Sequence, residues 1–141
     1  MQYNNETVQA TAKLKGCRMS ARKMRLSADI VRGLPVSKAL GIVKFTRKEG
    51  ARHLEKMLLS AVANWSVLTG EEADEYGLVV KAIWVDQGPQ LKRFQPAPHG
   101  RAHRIRKHSC HVSLVVENTV ALPTDFVVEE EVAEEIEASN D

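Results

Sequence analysis

Twenty-five consecutive residues, 87–111, decide most of what this chain can become: QGPQLKRFQPAPHGRAHRIRKHSCH. The segment contains no acid. It carries six full positive charges, Lys92, Arg93, Arg101, Arg104, Arg106 and Lys107, and four histidines, His99, His103, His108 and His111. Leu91, Phe94 and Ile105 are too few to build a core. Loops beyond about 12–15 residues in a compact domain usually carry function or lack order. The middle, Gln95, Pro96, Ala97, Pro98, His99 and Gly100, is rich in residues that fix or free φ, so the chain is expected to reverse there.

Alternating strands flank this segment. Leu78, Val80, Ala82 and Trp84 alternate with Val79, Lys81, Ile83 and Val85, and Cys110, Val112, Leu114 and Val116 recur at period two. The simplest geometry is one continuous hairpin over about 78–116 whose outer half leaves the domain. About 19 residues separate Leu78 from the turn, so an arm could reach roughly 60 Å at about 3.3 Å each. A two-stranded arm of that length is not stable alone in water. RNA would neutralise its charge and offer bases on which arginine and aromatic planes stack. The competing reading, a solvated basic loop, does not explain why acids are wholly excluded and turn formers sit at the centre.

The helices come first in the chain. Ser20 sits where an N-cap belongs, and Ala21, Met24, Ala28 and Val31 share one face up to a stop near Arg32, ahead of Gly33 and Pro35. A short helix is expected over 37–44, with Ala39, Leu40 and Val43 inward. Thr46 is positioned to cap a long third helix whose apolar face is Ala51, Leu54, Leu58, Ala61, Trp65 and Leu68. Residues 11–19 suit an edge strand. Helices followed by strands give an α+β class, with the helices packed on one face of a small antiparallel sheet. Trp65 and Trp84 both fall on apolar faces and are expected in the core.

A second acid-free stretch lies at the first helix. Lys13, Lys15, Arg18, Arg22, Lys23 and Arg25 surround its N-terminus, where free backbone amides favour phosphate. Arg47, Lys48 and Arg52 extend this patch or simply form a charged helix face. The net charge of +2 over 141 residues hides this polarity. Residues 1–116 hold all 20 Lys and Arg against 9 acids, +11, whereas 117–141 hold 9 acids and no Lys or Arg, −9. Such asymmetry points to a polyanionic partner. Residues 1–10 read as a flexible terminus and 118–141 as an acidic, disordered tail that competes electrostatically with RNA for the basic body.

Other classes find little support. Cys17 and Cys110 read as two reduced thiols, Cys110 a small core residue, rather than a disulfide framework. His103, His108, Cys110 and His111 form one cluster without the second ligand pair that zinc requires, so no metal is expected. No phosphate-binding glycine loop, GxSxG or HExxH occurs, so neither a cofactor nor catalysis is expected. The N-terminus resembles neither a secretory signal nor a transit peptide, and no stretch reaches the roughly 20 apolar residues of a membrane span. A free-standing regulator that lays a basic β-ribbon into duplex DNA is the alternative to an RNA-bound protein.

Several motifs in one order resemble a known family. They are Ser20–Leu26, Ala28-Asp29, Ile30–Gly33, Val36–Leu40, Ser60–Asn64 and Val85–Pro89, then Lys92-Arg93 through Gly100-Arg101-Ala102 to His111-Val112. Together they resemble the large-subunit ribosomal protein L-twenty-two family over roughly residues 10–117. The resemblance implies three helices on a three-stranded antiparallel sheet with a long protruding β-hairpin, the rRNA-binding domain being 11–117. It implies binding to large-subunit ribosomal RNA early in assembly, on the cytoplasmic ribosome, without a homo-oligomer. Neighbouring large-subunit proteins and the nascent polypeptide in the exit tunnel would be the other partners. Lys92 and Arg93 would approach the tunnel constriction, and Arg101, Arg104 and Arg106 would grip RNA on the return arm. Two features depart from the family pattern: Ala97, Pro98 and His99 stand where its tip is commonly basic, and the acidic tail lies beyond it.

Overall fold

The computed structural model describes residues 7–122. Residues 1–6 and the tail from 123 onward, including the bulk of the acidic run, lie outside the described residues. The element order is β1 (Gln9–Cys17), α1 (Ala21–Val31), α2 (Val36–Phe45), α3 (Glu49–Thr69), β2 (Val79–Gln87), β3 (Leu91–Ala97), a short 3-10 turn (Pro98–Gly100), β4 (Arg101–Lys107) and β5 (Cys110–Glu117). Strands β1, β5 and β2 form one antiparallel sheet in that order, and β3 and β4 form a separate two-stranded ladder. The expected α+β class with three helices on a three-stranded sheet is what the chain forms.

Period-two apolar spacing builds the floor of the core. Cys110, Val112, Leu114 and Val116 of β5 are all buried, flanked by Ala10, Ala12 and Cys17 of β1 and by Val80, Ile83 and Val85 of β2. The helices close over this face, α3 above β1 and α1 above β2. Met24, Ala28 and Val31 of α1 are completely buried, as the three-and-four spacing predicts. The buried stripe of α3 runs through Ala51, Leu54, Leu58, Ala61 and Trp65.

Four local expectations are corrected. Thr46 does not cap α3. Its Oγ1 donates to the carbonyl of Ile42 at 2.7 Å and its backbone N–H to that of Val43, so it closes α2 instead. Leu68 is exposed, because the stripe continues from Trp65 to the buried Thr69, whose hydroxyl donates to the Trp65 carbonyl. The hairpin is not one continuous ladder. It breaks at 88–90 and 108–109, where Pro89 has no N–H to donate and Gly88 must approach Ser109. A Cβ on Gly88 would lie 2.6 Å from Ser109 Oγ and 3.2 Å from the Ser109 backbone.

The fourth correction concerns Trp84. Val80 pairs with Val116 but Ala82 pairs with Val115, so Lys81 is an extra, bulged residue in β2. Inward positions therefore switch from Leu78 and Val80 before the bulge to Ile83 and Val85 after it. Trp84 is turned outward and is 44% exposed, whereas Trp65 is fully buried.

Domain packing continues past β5. Asn118 is buried; its Oδ1 accepts from the Val8 N–H at 2.7 Å and its Nδ2 donates to the Val120 carbonyl at 2.7 Å. Leu122 is buried with the core. Asn118 thereby ties the start of β1 to the end of β5. Asn118→Ala should destabilise the domain by about 1–3 kcal/mol, the cost of leaving the Val8 N–H without its partner; urea unfolding of the two chains measures it.

Candidate nucleic-acid interface

The β3–β4 ladder pairs Leu91 with Lys107, Lys92 with Arg106, Arg93 with Ile105, Phe94 with Arg104, Gln95 with His103, Pro96 with Ala102 and Ala97 with Arg101. Residues directly opposite share a face, and faces alternate along a strand. One face therefore carries Lys92, Phe94, Arg104 and Arg106, and the other Arg93, Arg101, His103 and Lys107. Each face holds three full positive charges. Every one of these side chains is exposed, Phe94 included. Lys92 and Arg106 are like charges in direct opposition, which weakens a free ladder. Neither face can be buried against a protein core without stranding charges.

The chain reverses through Pro98, His99 and Gly100. His99 adopts φ 62°, ψ 32°, and Gly100 has φ 69°. Histidine is among the few side chains that enter this left-handed region with some frequency. The tip residues Gln95 to Gly100 carry no full charge, so charge is confined to the arms.

The second set lies where β1 meets α1. Lys13, Lys15, Arg18, Arg22 and Lys23 are all exposed. Helix α1 begins after Ser20, but no side chain caps its first turn and no acid occupies it. Its leading N–H groups therefore have no side-chain cap, beside the exposed Arg22 and Lys23. A shallow groove of about 600 Å³ between this corner and α3 is lined by Lys15, Arg18, Lys23, Glu49 and His53 among others. Arg25 differs from its neighbours. Its Nε and Nη2 donate to the Val85 carbonyl at 3.2 and 2.9 Å, so its guanidinium is engaged in holding α1 to β2.

The two sets converge at the base of the hairpin. Cys17 of β1 and Gln87 of β2 both register with Cys110 of β5. The Gly16 N–H donates to His111 Nδ1 at 2.9 Å, and the Gly88 N–H to the Ser109 carbonyl at 2.9 Å. Arg18 thus follows directly from the pairing that anchors the outer ladder. Sequence spacing does not show this proximity, because the pairing joins residues more than 90 positions apart.

That pairing also explains the cysteines. Both are free and buried, side by side across two strands. Burial pushes the Cys110 thiol up to about 11 from 9.0, with the adjacent Cys17 adding to the shift. Burial raises Cys17 as well. Both thiols are therefore protonated core groups at neutral pH, not nucleophiles. Among the described residues no group of three or more His, Cys, Asp or Glu is placed to hold a metal ion. No helix among them is long and apolar enough to cross a membrane.

A basic α+β module with a charged two-stranded arm is defined here by what it presents, not by a reaction it could perform. Its family is shown directly: residues 12–117 match the family model of ribosomal protein L22p/L17e, and the chain belongs to that family. It is accordingly a structural ribosomal protein and not an enzyme. A protein of Flavobacterium psychrophilum is 53% identical over 117 residues, covering 80% of this chain and 85% of its own. One from Flavobacterium johnsoniae is 56% identical over 108 residues, covering 76% and 79%. One from Bacteroides fragilis is 50% identical over 107 residues, also covering 76% and 79%. Each of the three is named large ribosomal subunit protein uL22.

A pH dependence follows from the thiols. A folded-state value raised from 9.0 to about 11 contributes stability that is present below pH 9.0 and lost as pH rises toward about 11. Cys110→Ala should lose less stability than the parent chain across that window, measured as the shift in urea midpoint. An equal loss in both chains would assign the alkaline destabilisation to other groups.

Proposed function

We propose that this protein is a structural constituent of the large ribosomal subunit that binds large-subunit ribosomal RNA and carries its hairpin into the wall of the nascent-peptide exit tunnel. One observation carries the reading: the β3–β4 ladder has three exposed cations on each face, a directly opposed like-charge pair and no acid. Such a ladder is incomplete until a polyanion surrounds it. Phosphates on both sides would neutralise Lys92, Arg104 and Arg106 on one face and Arg93, Arg101 and Lys107 on the other, releasing counterions. Phe94, directly opposite Arg104, offers a plane to an unpaired base.

The remaining roles follow from position. Lys13, Lys15, Arg18, Arg22 and Lys23 form the domain's own RNA-facing surface, with phosphate placed at the uncapped start of α1. Arg25 adds charge to that surface from a guanidinium already fixed on β2. The uncharged tip, Gln95 to Gly100, suits a lumen past which the nascent polypeptide must slide without being held. At about 3.3 Å per residue, seven paired residues give the outer ladder a reach of roughly 23 Å. The assignment places the protein in the cytoplasm on the ribosome, in one copy, against rRNA and neighbouring large-subunit proteins, without a membrane or a cofactor. The acidic tail would screen the basic body from other RNA before assembly. Deleting residues 123–141 should then raise affinity for unrelated RNA at low salt, and unchanged affinity would refute that role.

The rRNA reading is tested by replacing Arg101, Arg104 and Arg106 with Ala and measuring affinity for large-subunit rRNA against salt. Each lost phosphate contact should flatten the slope of log K against log salt by about 0.7–0.9. An unchanged slope would contradict the assignment of these arginines. Tighter binding to duplex DNA than to rRNA would favour a free-standing regulator instead.

A further inference from the structure

The face of the β1-β5-β2 sheet turned away from the helices holds a feature that the basic patches do not account for. In register, Lys13 of β1, Ser113 of β5 and Trp84 of β2 lie in one row across this face. Adjacent strands are about 4.8 Å apart, so Lys13 and Trp84 stand about 10 Å apart at the backbone, with the small Ser113 between them. Thr11, Val115 and Ala82 form the next row. None of these is large enough to cover the indole, which is 44% exposed.

The indole stands on a fixed base. Strand β2 is an edge strand, and its outward carbonyls on either side of Trp84 are occupied. Arg32 Nη2 donates to the Ile83 carbonyl at 3.1 Å, and Arg25 donates to that of Val85. Lys81 and Glu117 on the same strand pair neutralise each other at 2.6 Å. Among the described residues this leaves Lys13 and Lys15 as exposed cations on β1, and Asp86, two residues beyond Trp84 on the same strand, as an acid of this face. Three residues after Trp84 the same strand reaches Gln87 and the base of the cationic hairpin.

We infer that Trp84 is a stacking platform for an unpaired base of the bound ribosomal RNA, with Lys13 holding the adjoining phosphate. The inference rests on the rRNA reading and adds a surface to it. An exposed aromatic ring with a lysine beside it on an open strand face is an arrangement by which single-stranded nucleic acid is held without sequence reading. RNA that grips the hairpin arms must pass their base, and Trp84 is the exposed aromatic side chain of β2 there. The bulge at Lys81 gives the indole this orientation, since without the extra residue Trp84 would point into the core.

The two tryptophans make the test direct. Trp65 is fully buried, so the emission that acrylamide can quench in the native chain is that of Trp84. Transcribed large-subunit rRNA, added to saturation, should abolish the quenchable component. Trp84→Leu should weaken binding roughly tenfold or more, while Trp84→Phe, which keeps a ring, should stay within about twofold of the parent. A Trp84 component still fully quenched by acrylamide at saturating rRNA, or unchanged affinity in Trp84→Leu, would overturn the inference and leave the hairpin assignment intact. Shielding in the free chain that deletion of 123–141 removes would identify the tail as the occupant and overturn it too. No binding of rRNA by the parent chain would remove both readings together.

Discussion

The described part of this molecule is organised around a charged two-stranded ladder that has no core to rest on. The β3–β4 hairpin has two solvent-facing surfaces, and each carries three cations. Lys92 confronts Arg106 across the pair. A sheet normally gains its stability by turning one face to a core, and this one has no apolar face to turn. The folded domain therefore holds, by its base alone, an arm that no core covers. The close approach at Gly88 and Ser109, the Cys17–Cys110–Gln87 row and the His111–Gly16 bond all lie at that base. They fix the root of the arm without constraining its outer end.

The domain behind it is an ordinary aliphatic core put to a directional use. Helices cover one face of the sheet and leave the other open, and the hairpin continues β2 and β5 beyond their paired ends. The cationic surface is spread over Lys13 on the open face, Arg22 and Lys23 at the start of α1, and both faces of the hairpin. Arg25 and Arg32 serve this surface differently, as clamps on β2 carbonyls that would otherwise lie open along an edge.

Much of this was readable in the residues. The three-and-four spacing in α1 and the alternation in β5 specify buried faces that the structure reproduces residue by residue. The exclusion of acid from 87–111 marks the arm. What escaped the sequence depends on single residues or on distant pairing. Period alone places Trp84 inward, and one bulged residue, Lys81, reverses it. Thr46 has the chemistry of an N-cap, yet a hydroxyl can equally bond back to the preceding turn, and here it does. The meeting of Arg18 with the hairpin base follows from the pairing of Cys17 with Cys110. Local propensity is silent about such contacts because they are decided by sheet topology.

If this chain is completed by the RNA of the large subunit, it must travel with that subunit. Sedimentation of a cell lysate through a sucrose gradient, with detection of this chain, tests it most directly. Co-migration with the large subunit that survives moderate salt is the expected result. A chain recovered mainly at the top of the gradient would contradict the account.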